Sequence, residues 1–216
     1  MDGILNFHKP TGITSAKALY RVRKITGIHK SGHAGTLDPA AEGVLVLCLG
    51  KATKLVESIM DQPKVYRATC RLDITSDSFD SQEAVRPVTV GAIPSREQVM
   101  QALASFEGEI QQIPPNISAV KIDGIPAYKR IRTGEEIELR ARPTRVYWIV
   151  LHAFEWPMVD FEMACGRGTY VRSVARDMGL LLNTGGCLTS LVRSQVGPFH
   201  IRDACGFEQL EQTGLD

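Results

Sequence analysis

The 216-residue sequence lacks the features that would assign it to several common protein classes. It contains five cysteines but no CxxC pair, and an odd, scattered set argues against a disulfide framework or a zinc ribbon. Apolar runs such as residues 44–49 are far too short to span a bilayer, and the first residues lack the apolar core of a signal peptide. We therefore expect a cytoplasmic protein with reduced cysteines and no membrane contact.

The sequence also lacks the short motifs of the common cofactor-dependent enzymes. It has no GxxxxGK[ST] phosphate-binding loop, no GxGxxG after a predicted strand, and no HExxH or paired His/Cys spacing. The serine of "SGHAG" has no GxSxG context, which marks the nucleophile of α/β-hydrolases. These absences exclude most hydrolases, nucleotide-dependent enzymes and dehydrogenases, and they predict that the protein works without a metal ion or a cofactor.

Acidic residues are missing from a long stretch near the start of the chain. Residues 3–37 carry six Lys or Arg and no Asp or Glu, and residues 121–145 carry seven bases against four acids, although the net charge is only +1. Such segregation creates a surface field that attracts a polyanion such as RNA. Two solvated faces that happen to be basic would give the same pattern, so charge alone leaves both interpretations open.

Asp38 ends this acid-free stretch, within the segment "SGHAGTLDPAAEGVLVLCLG". An Asp before a proline is a common turn residue, because its carboxylate accepts hydrogen bonds from nearby backbone amides. In contrast, Gly32, Gly35 and Gly43 allow a ligand to approach the backbone closely, and the basic surroundings suit an anionic partner. From the residues alone, Asp38 is either a turn residue or a nucleophile or base.

The hydrophobic pattern predicts an α+β protein. Strands are indicated by the apolar run at residues 44–49 and by "VYRATCRLD", "VYWIVLHAFEW" and "MVDFEMAC". In "VYRATCRLD" the alternation places Tyr66 at the head of the apolar face, and in "MVDFEMAC" it places Val159, Phe161, Met163 and Cys165 opposite Asp160, Glu162 and Ala164. Helix signals define three helices: from a cap at Thr14 or Ser15 to about Thr26, from the Ser95–Gln98 capping box to Gly108, and from about Tyr170 to Leu182. Because the strands mostly follow one another, we expect a mixed or mainly antiparallel sheet rather than alternating βαβ units.

Several separated segments resemble the TruB-type pseudouridine synthases. In the family's order and at about its spacing, they are "HKPTGITS", "KSGHAGTLDPAAEGVLVLCLGKATK", "KVYRATCRL", "IPPNISAVKIDGIPAYKRIRTG", "CGRGTYVRSVARDMG" and "LTSLVRSQVGPF". The resemblance extends from residue 4 to about residue 207, nearly the whole chain. It implies a pseudouridine synthase fold, in which helices flank a central, mainly antiparallel mixed sheet.

The resemblance implies an activity and a domain organisation. TruB-type enzymes isomerise uridine to pseudouridine at position 55 in the T-loop of tRNA by base flipping and attack by an aspartate, without a cofactor or a metal. We expect residues 1–210 to form the catalytic domain, residues 114–145 a thumb-like insertion that clamps the RNA, and residues 211–216 a tail, without the family's usual C-terminal PUA-type module. The expected partner is tRNA, bound through its T-loop and T-stem by a monomer.

The resemblance also implies roles for individual residues. Asp38 matches the catalytic aspartate, Tyr66 the tyrosine that stacks on the target base, and Arg172 the arginine that pairs with the aspartate. The residues expected to contact RNA or the uracil are His33, Tyr170, Leu191 and Lys9, together with the thumb residues Lys121, Lys129, Arg130 and Arg132.

Two alternatives to this function stay open at the level of the sequence. One is a relative that modifies ribosomal RNA with the help of a guide RNA. The other is a non-catalytic chaperone that binds the T-loop and helps tRNA to fold. The chaperone would function without the carboxylate of Asp38, whereas either enzyme requires it.

Overall fold

The computed structural model describes residues 2–115, 117–118, 121–122, 125–127, 130, 135 and 139–213. Within these residues, the α-helices are α1 (Ser15–Thr26), α2 (Val56–Met60), α3 (Arg96–Ala104), α4 (Val171–Leu182) and α5 (Phe207–Thr213). The strands are β1 (Gly3–Lys9), β2 (Ser31–His33), β3 (Glu42–Leu49), β4 (Lys64–Arg71), β5 (Ile74–Thr75), β6 (Arg86–Pro87), β7 (Gly108–Gln112), β8 (Lys121–Ile122), β9 (Ile125–Pro126), β10 (Arg142–Glu155), β11 (Met158–Cys165), β12 (Cys187–Val196) and β13 (Phe199–His200).

The chain divides into two compact units. The first unit contains the chain up to Arg67 and again from Leu191 onward, and the second unit contains Ala68–Ser190. The chain passes from one unit to the other within β4 and again within β12, so each of these strands has residues in both units.

The first unit is organised around β3. This strand pairs antiparallel with all of β1, from Gly43 opposite Lys9 to Leu49 opposite Gly3. The end of β3 pairs antiparallel with β2, and its start pairs parallel with β12, where Arg193 lies opposite Gly43. The parallel pairing therefore brings a residue from late in the chain next to the segment that contains Asp38.

Both faces of β3 are buried, which explains its unbroken run of apolar residues. Leu45 and Leu47 belong to a core cluster formed with α1 and α5. Val44, Val46 and Cys48 belong to a second cluster formed with α2. Because successive side chains of a strand point to opposite faces, α1 and α5 cover one face of β3 and α2 covers the other.

The second unit is organised around β10. This strand pairs antiparallel with both β11 and β7, and α3 packs against β10 and against α4. In β11, Val159, Phe161 and Met163 are fully buried while Asp160 and Glu162 are half-buried, which confirms the predicted alternation up to Met163. Ala164, predicted on the opposite face, is also buried. The helices and strands of this unit thus share a core formed by one face of the sheet and by α3 and α4.

The predicted ends of α1 are confirmed. Thr14 caps the start of the helix, and its Oγ1 accepts a hydrogen bond from the N–H of Lys17 at 3.1 Å. Gly27 follows the last turn with φ of 70°, and its N–H donates to the carbonyl of Arg23. A left-handed residue at this position favours glycine, which is why the helix ends here.

The start of α3 was predicted correctly and its end was not. Ser95 and Gln98 form the expected capping box. The helix ends at Ala104 with Ser105 as its cap, rather than at Gly108. Gly108 has φ of 97° and begins β7, so the conformational freedom of this glycine serves the turn into the strand.

The α+β class is confirmed, and so is its mainly antiparallel mixed sheet. Of the pairings described above, that of β12 with β3 is parallel and the others are antiparallel.

The position proposed from the sequence for the end of the domain, residue 210, falls inside α5, and Leu210 belongs to the core of the first unit. None of the helices in the described residues is both long and apolar enough to cross a membrane.

Candidate active site

Residues 34–41, which connect β2 to β3 and include Asp38, are called here the Asp38 loop. Its start is fixed by the N–H of Ala34, which donates to the carbonyl of Val46 at 2.9 Å. Ser15 holds the residue before Asp38, because its Oγ accepts from the N–H of Leu37 at 2.9 Å and donates to the carbonyl of the same residue at 3.0 Å. The half-buried Asp38 therefore extends from a backbone with a defined position.

Lys9, the last residue of β1, is fully buried. Its Nζ donates to the carbonyls of Pro10 and Ile13, each at 2.8 Å. Burial lowers the pKa of Lys9 to about 8, and the negative charge of Asp38 opposes this shift. Lys9 thus supports the turn that follows β1, and its predicted contact with RNA stays a prediction.

His33 lies immediately before the Asp38 loop, at the end of β2. Burial lowers the pKa of His33 below its ordinary value, and the positive charge of Arg193 lowers it further. The Nδ1 atom of His33 is buried and makes no hydrogen bond within the described part of the chain. At neutral pH, His33 therefore presents a neutral imidazole near the Asp38 loop.

Tyr66 and Leu191 occupy two other strands of the first unit. Tyr66 lies in β4 with 9% of its surface exposed, on the buried face that the alternation predicted. Leu191 lies in β12, half-buried and two residues before Arg193. The strand position of Tyr66 is confirmed, whereas the strand that holds Leu191 was not predicted from the sequence. The contacts of both residues with a uracil ring stay predictions.

Arg172 lies in the first turn of α4 in the second unit, and it is only 4% exposed. Its guanidinium donates to the carbonyls of Ser78 at 3.0 Å and Ile117 at 2.9 Å. The Oδ2 atom of Asp80 lies 3.8 Å from Nη1 of Arg172. Asp80 is itself held through Oδ1, which accepts from the hydroxyl of Ser78 and from the N–H of Gln82. These contacts fix the orientation of a buried cation.

Tyr170 immediately precedes α4 and connects it to β7. Its N–H donates to Oε1 of Gln112 at 2.8 Å, and its carbonyl accepts from Nε2 of the same side chain at 3.2 Å. The half-buried Tyr170 also packs against Ala127 and Leu139. Because both of these residues lie within the expected thumb, Tyr170 holds that insertion against the start of α4.

The expected thumb, residues 114–145, is described in part. Within it, β8 and β9 form a short antiparallel pair, and Lys121 is the first residue of β8. Nη1 of Arg130 donates to Oε1 of Glu135 at 2.7 Å. Lys129 and Arg132 lie outside the described residues.

The structure brings some of the predicted residues together within each unit. In the first unit, the charges of Asp38 and Arg193 both act on Lys9, and the charge of Arg193 also acts on His33. In the second unit, Tyr170 and Arg172 lie together at the start of α4.

Sequence reasoning missed Arg193 and Asp80. A usable signal for Arg193 was its place among the apolar residues of "LTSLVRSQV", because a buried guanidinium is costly unless its polar atoms are bonded. Asp80 gave no such signal, since it stands in the acidic segment "DITSDSFDSQE", which is typical of a solvated loop.

A protein-family model and two related proteins agree on the family to which this chain is similar. The family model described as "TruB family pseudouridylate synthase (N terminal domain)" matches residues 23–171. The protein named tRNA pseudouridine synthase B of Clostridium kluyveri is 40% identical over 215 residues, which cover 100% of this chain and 74% of that protein. The protein of the same name from Dinoroseobacter shibae is 44% identical over 217 residues, covering 100% of this chain and 71% of that protein.

Solved structures show the same fold. A chain in the crystal structure of a Cbf5-Nop10-Gar1 complex is similar to this one, with 32% identity and a TM-score of 0.76 over 97% of this chain. A chain in an H/ACA RNP bound to a substrate RNA containing 2'-deoxyuridine has 29% identity and a TM-score of 0.73. This chain spans about half the length of those two chains, 54% and 52%.

These similarities define the class of the protein as one with the pseudouridine synthase fold. More narrowly, the chain belongs to the TruB family of pseudouridylate synthases, whose model covers the Asp38 loop, Tyr66 and the expected thumb.

Proposed function

We propose that this chain isomerises uridine to pseudouridine at position 55 in the T-loop of tRNA, and that Asp38 is the nucleophile. The observation that carries the proposal is the Asp38 loop, a well-anchored segment that presents a half-buried carboxylate and lies within the region matched by the family model. The tRNA substrate is supported by the name of the relatives that are about 40% identical over the whole chain.

The proposed reaction requires no electrons and no group donor. The glycosidic bond between N1 and C1′ breaks, the uracil turns, and a new bond forms between C5 and C1′. The proton of C5 leaves and N1 gains a proton, so substrate and product are isomers. Asp38 contributes the carboxylate that attacks the nucleotide at C6 or at C1′, forming a covalent intermediate that later breaks down.

In this proposal, the target uridine leaves its stack and enters a pocket. Extrusion of a base costs a few kcal/mol, and stacking on the ring of Tyr66 returns about 1–3 kcal/mol. Arg172 pairs with the carboxylate of Asp38, for which the planar fork of a guanidinium is well suited. Tyr170 and Leu191 line the uracil pocket, and His33 contacts the RNA beside the flipped nucleotide.

The remaining contacts in the proposal are with the RNA backbone. The thumb, residues 114–145, clamps the T-loop and T-stem, and its basic side chains neutralise phosphates. Residues 1–210 form the catalytic domain and residues 211–216 a tail. The protein acts as a monomer in the cytoplasm, where its tRNA substrate is found. The thumb residues proposed to contact phosphates are Lys121, Lys129, Arg130 and Arg132, and Lys9 is a further proposed RNA-binding residue.

The test is pseudouridine formation on an unmodified tRNA transcript. We would compare the wild type with Asp38→Asn and with Asp203→Asn, a matched control in which an exposed carboxylate of the same unit is changed. Pseudouridine is mapped by chemical sequencing. The wild type and Asp203→Asn are expected to modify position 55, and Asp38→Asn is expected to be inactive. Product with Asp38→Asn would refute the role of that carboxylate.

The guide-dependent alternative is favoured by one observation, the structural similarity to a chain of an H/ACA RNP that is bound to a substrate RNA. The identity to that chain, 29%, is below the 44% to the D. shibae tRNA pseudouridine synthase B. Activity on the bare transcript, with no guide RNA added, would exclude this alternative. If the wild type binds the transcript without modifying it, the chaperone function is favoured instead.

A further inference from the structure

Arg193 carries a buried guanidinium for which the proposed reaction has so far no role. It lies in β12, is 1% exposed, and has the largest side chain among the fully buried residues. No carboxylate of the described residues forms an ion pair with Arg193. Burial of a cation is costly unless its donors are bonded, so the partners of its nitrogens are informative.

Each of the three guanidinium nitrogens donates to a backbone carbonyl. Nε donates to Val44 at 2.7 Å, Nη2 to Gly35 at 3.0 Å and Nη1 to Thr36 at 3.4 Å. Gly35 and Thr36 precede Asp38 in its loop, and Val44 lies in β3, just after the loop. A single side chain therefore connects the two sides of the Asp38 loop.

The other anchors of the loop act on different residues. Ser15 binds Leu37, and the carbonyl of Pro39 accepts from the N–H of Gly12 at 2.8 Å. Within the described part of the chain, Arg193 supplies the hydrogen bonds to the carbonyls of Gly35 and Thr36, and neither Ser15 nor Gly12 duplicates them.

Arg193 reaches the Asp38 loop because β12 and β3 lie close together at Gly43. Arg193 is the register partner of Gly43 in the parallel pairing of β12 with β3. Gly43 has φ of 106°, and a Cβ atom at this position would lie 2.3 Å from the carbonyl oxygen of Arg193. The absence of a side chain at Gly43 is what lets β12 come close enough for Arg193 to reach the loop.

We propose that Arg193 is a positioning residue for Asp38: its guanidinium fixes the backbone before the carboxylate, and so aims the carboxylate at the substrate. This inference rests on the proposed function, in which Asp38 is the nucleophile. The charge of Arg193 also acts locally, since it adds to burial in lowering the pKa of His33 and of Lys9. Arg193 itself touches no reacting atom in this proposal.

The test compares Arg193→Met and Arg193→Lys with a matched control, Arg23→Met. Arg23 is a half-buried arginine of the same unit that also binds a backbone carbonyl, but it binds Ser31 at the start of β2 rather than the Asp38 loop. Three quantities are measured: the single-turnover rate of pseudouridine formation at saturating enzyme, the Kd for tRNA, and hydrogen exchange of the backbone amides of residues 34–41.

Arg193→Met is expected to lower the rate about 100-fold, the loss that a misplacement of about 1 Å can cause. The Kd for tRNA is expected to stay unchanged, and exchange in residues 34–41 to become faster. Arg193→Lys keeps the charge but cannot reach three carbonyls, so we expect a smaller loss of about 10-fold. Arg23→Met is expected to keep the wild-type rate and the wild-type exchange in these residues.

A lower rate with an unchanged Kd for tRNA indicates a positioning role, whereas general destabilisation would lower both the rate and the affinity. A melting curve of each variant measures its stability. If Arg193→Met does not fold, Arg193→Lys decides the question. A wild-type rate or unchanged loop exchange in a folded Arg193 variant overturns the inference. If the wild type itself forms no pseudouridine, the proposed function fails, and the positioning role of Arg193 fails with it. Loss of product in Asp38→Asn with full activity in Arg193→Met refutes the inference alone.

Discussion

At the scale of single residues, Arg172 and Asp80 show how a buried cation is held in one orientation. The guanidinium donates to two backbone carbonyls and has the carboxylate of Asp80 within 3.8 Å. Such a carboxylate compensates part of the desolvation of the cation, and removal of one charge of a buried pair leaves the other less well solvated.

We therefore predict that Asp80→Asn lowers both stability and activity. The amide can still accept from Ser78 and Gln82, but it no longer carries a charge opposite Arg172. The free energy of unfolding is expected to fall by about 1–3 kcal/mol, and the single-turnover rate by about 10- to 100-fold if Arg172 pairs with Asp38 as proposed. Urea unfolding and pseudouridine formation measure the two effects.

The control is Asp77→Asn in the same segment. Asp77 is exposed and forms an ion pair with Arg86 at 2.5 Å. Because exposed pairs contribute little, this variant is expected to resemble the wild type in both assays. Equal losses of stability and activity in Asp80→Asn and Asp77→Asn would mean that any change in this segment has the effect, and that the charge of Asp80 has no special role.

Lys9 provides a prediction that depends on pH. Its pKa is about 8 in the folded protein and 10.5 for the unperturbed side chain. Between these values the unfolded state binds more protons than the folded state, so the contribution of Lys9 to stability rises with pH. Below about pH 8 both states are protonated, and the folded protein bears the full cost of a buried ammonium.

The measurement is urea unfolding of the wild type and of Lys9→Met at pH 7.5 and at pH 9.5. Other titrating groups cancel in the difference between the two proteins. We expect the wild type to gain about 1–2 kcal/mol relative to Lys9→Met over this interval. A difference that is independent of pH, or that changes in the opposite direction, would show that the pKa of Lys9 is not lowered by folding.

At the scale of secondary-structure elements, the contact of β3 with β12 depends on Gly43. The left-handed φ of this residue and the 2.3 Å approach to the carbonyl oxygen of Arg193 both disfavour any side chain. We predict that Gly43→Ala lowers the free energy of unfolding by about 3 kcal/mol, because backbone strain and overpacking each cost about 1–3 kcal/mol.

Gly3→Ala in β1 is the matched control. A Cβ atom at Gly3 would have no heavy atom within 4 Å, apart from its chain neighbours, and its φ is not left-handed. This variant is expected to stay within about 0.5 kcal/mol of the wild type in urea unfolding. If Gly43→Ala changes the free energy of unfolding as little as Gly3→Ala does, β3 and β12 can move apart without loss of stability. The close contact of these strands would then not fix the position of Arg193.

The helices and strands also show which local signals suffice. Caps at Thr14 and Ser95 predicted the starts of α1 and α3, because capping bonds form between residues close in sequence. The end of α3 was misplaced, since a glycine that ends a helix and a glycine that turns into a strand look alike in the sequence. The buried run of β3 was predictable, but its neighbours were not.

At the scale of the whole molecule, the uneven distribution of charge bears on RNA binding. The net charge is only +1, while residues 121–145 carry seven bases and four acids. If basic side chains of the thumb bind phosphates, the affinity for tRNA must fall with salt, because the release of counterions from the RNA becomes less favourable as the salt concentration rises. We predict that Kd rises more than about 10-fold between roughly 50 and 200 mM salt.

The salt dependence can be assigned to the thumb with one variant. Arg130→Gln is expected to reduce the slope of log K against log salt by about one, as for the loss of one phosphate contact. Arg86→Gln, at an exposed arginine paired with Asp77, is the control and is expected to keep the wild-type slope. Equal slopes in all three proteins would remove Arg130 from the RNA contacts.

The sequence by itself determined the family, the α+β class and much of the local structure, because motifs, caps and alternation are encoded by residues near one another. The surroundings of Asp38 were decided only by the tertiary structure. Arg193 binds the carbonyl of Val44 across 149 residues, and Lys9, a charged residue in the sequence, is fully buried. Such contacts depend on which strands pair and in which register, and a two-residue hydrophobic period names neither the partner nor the register.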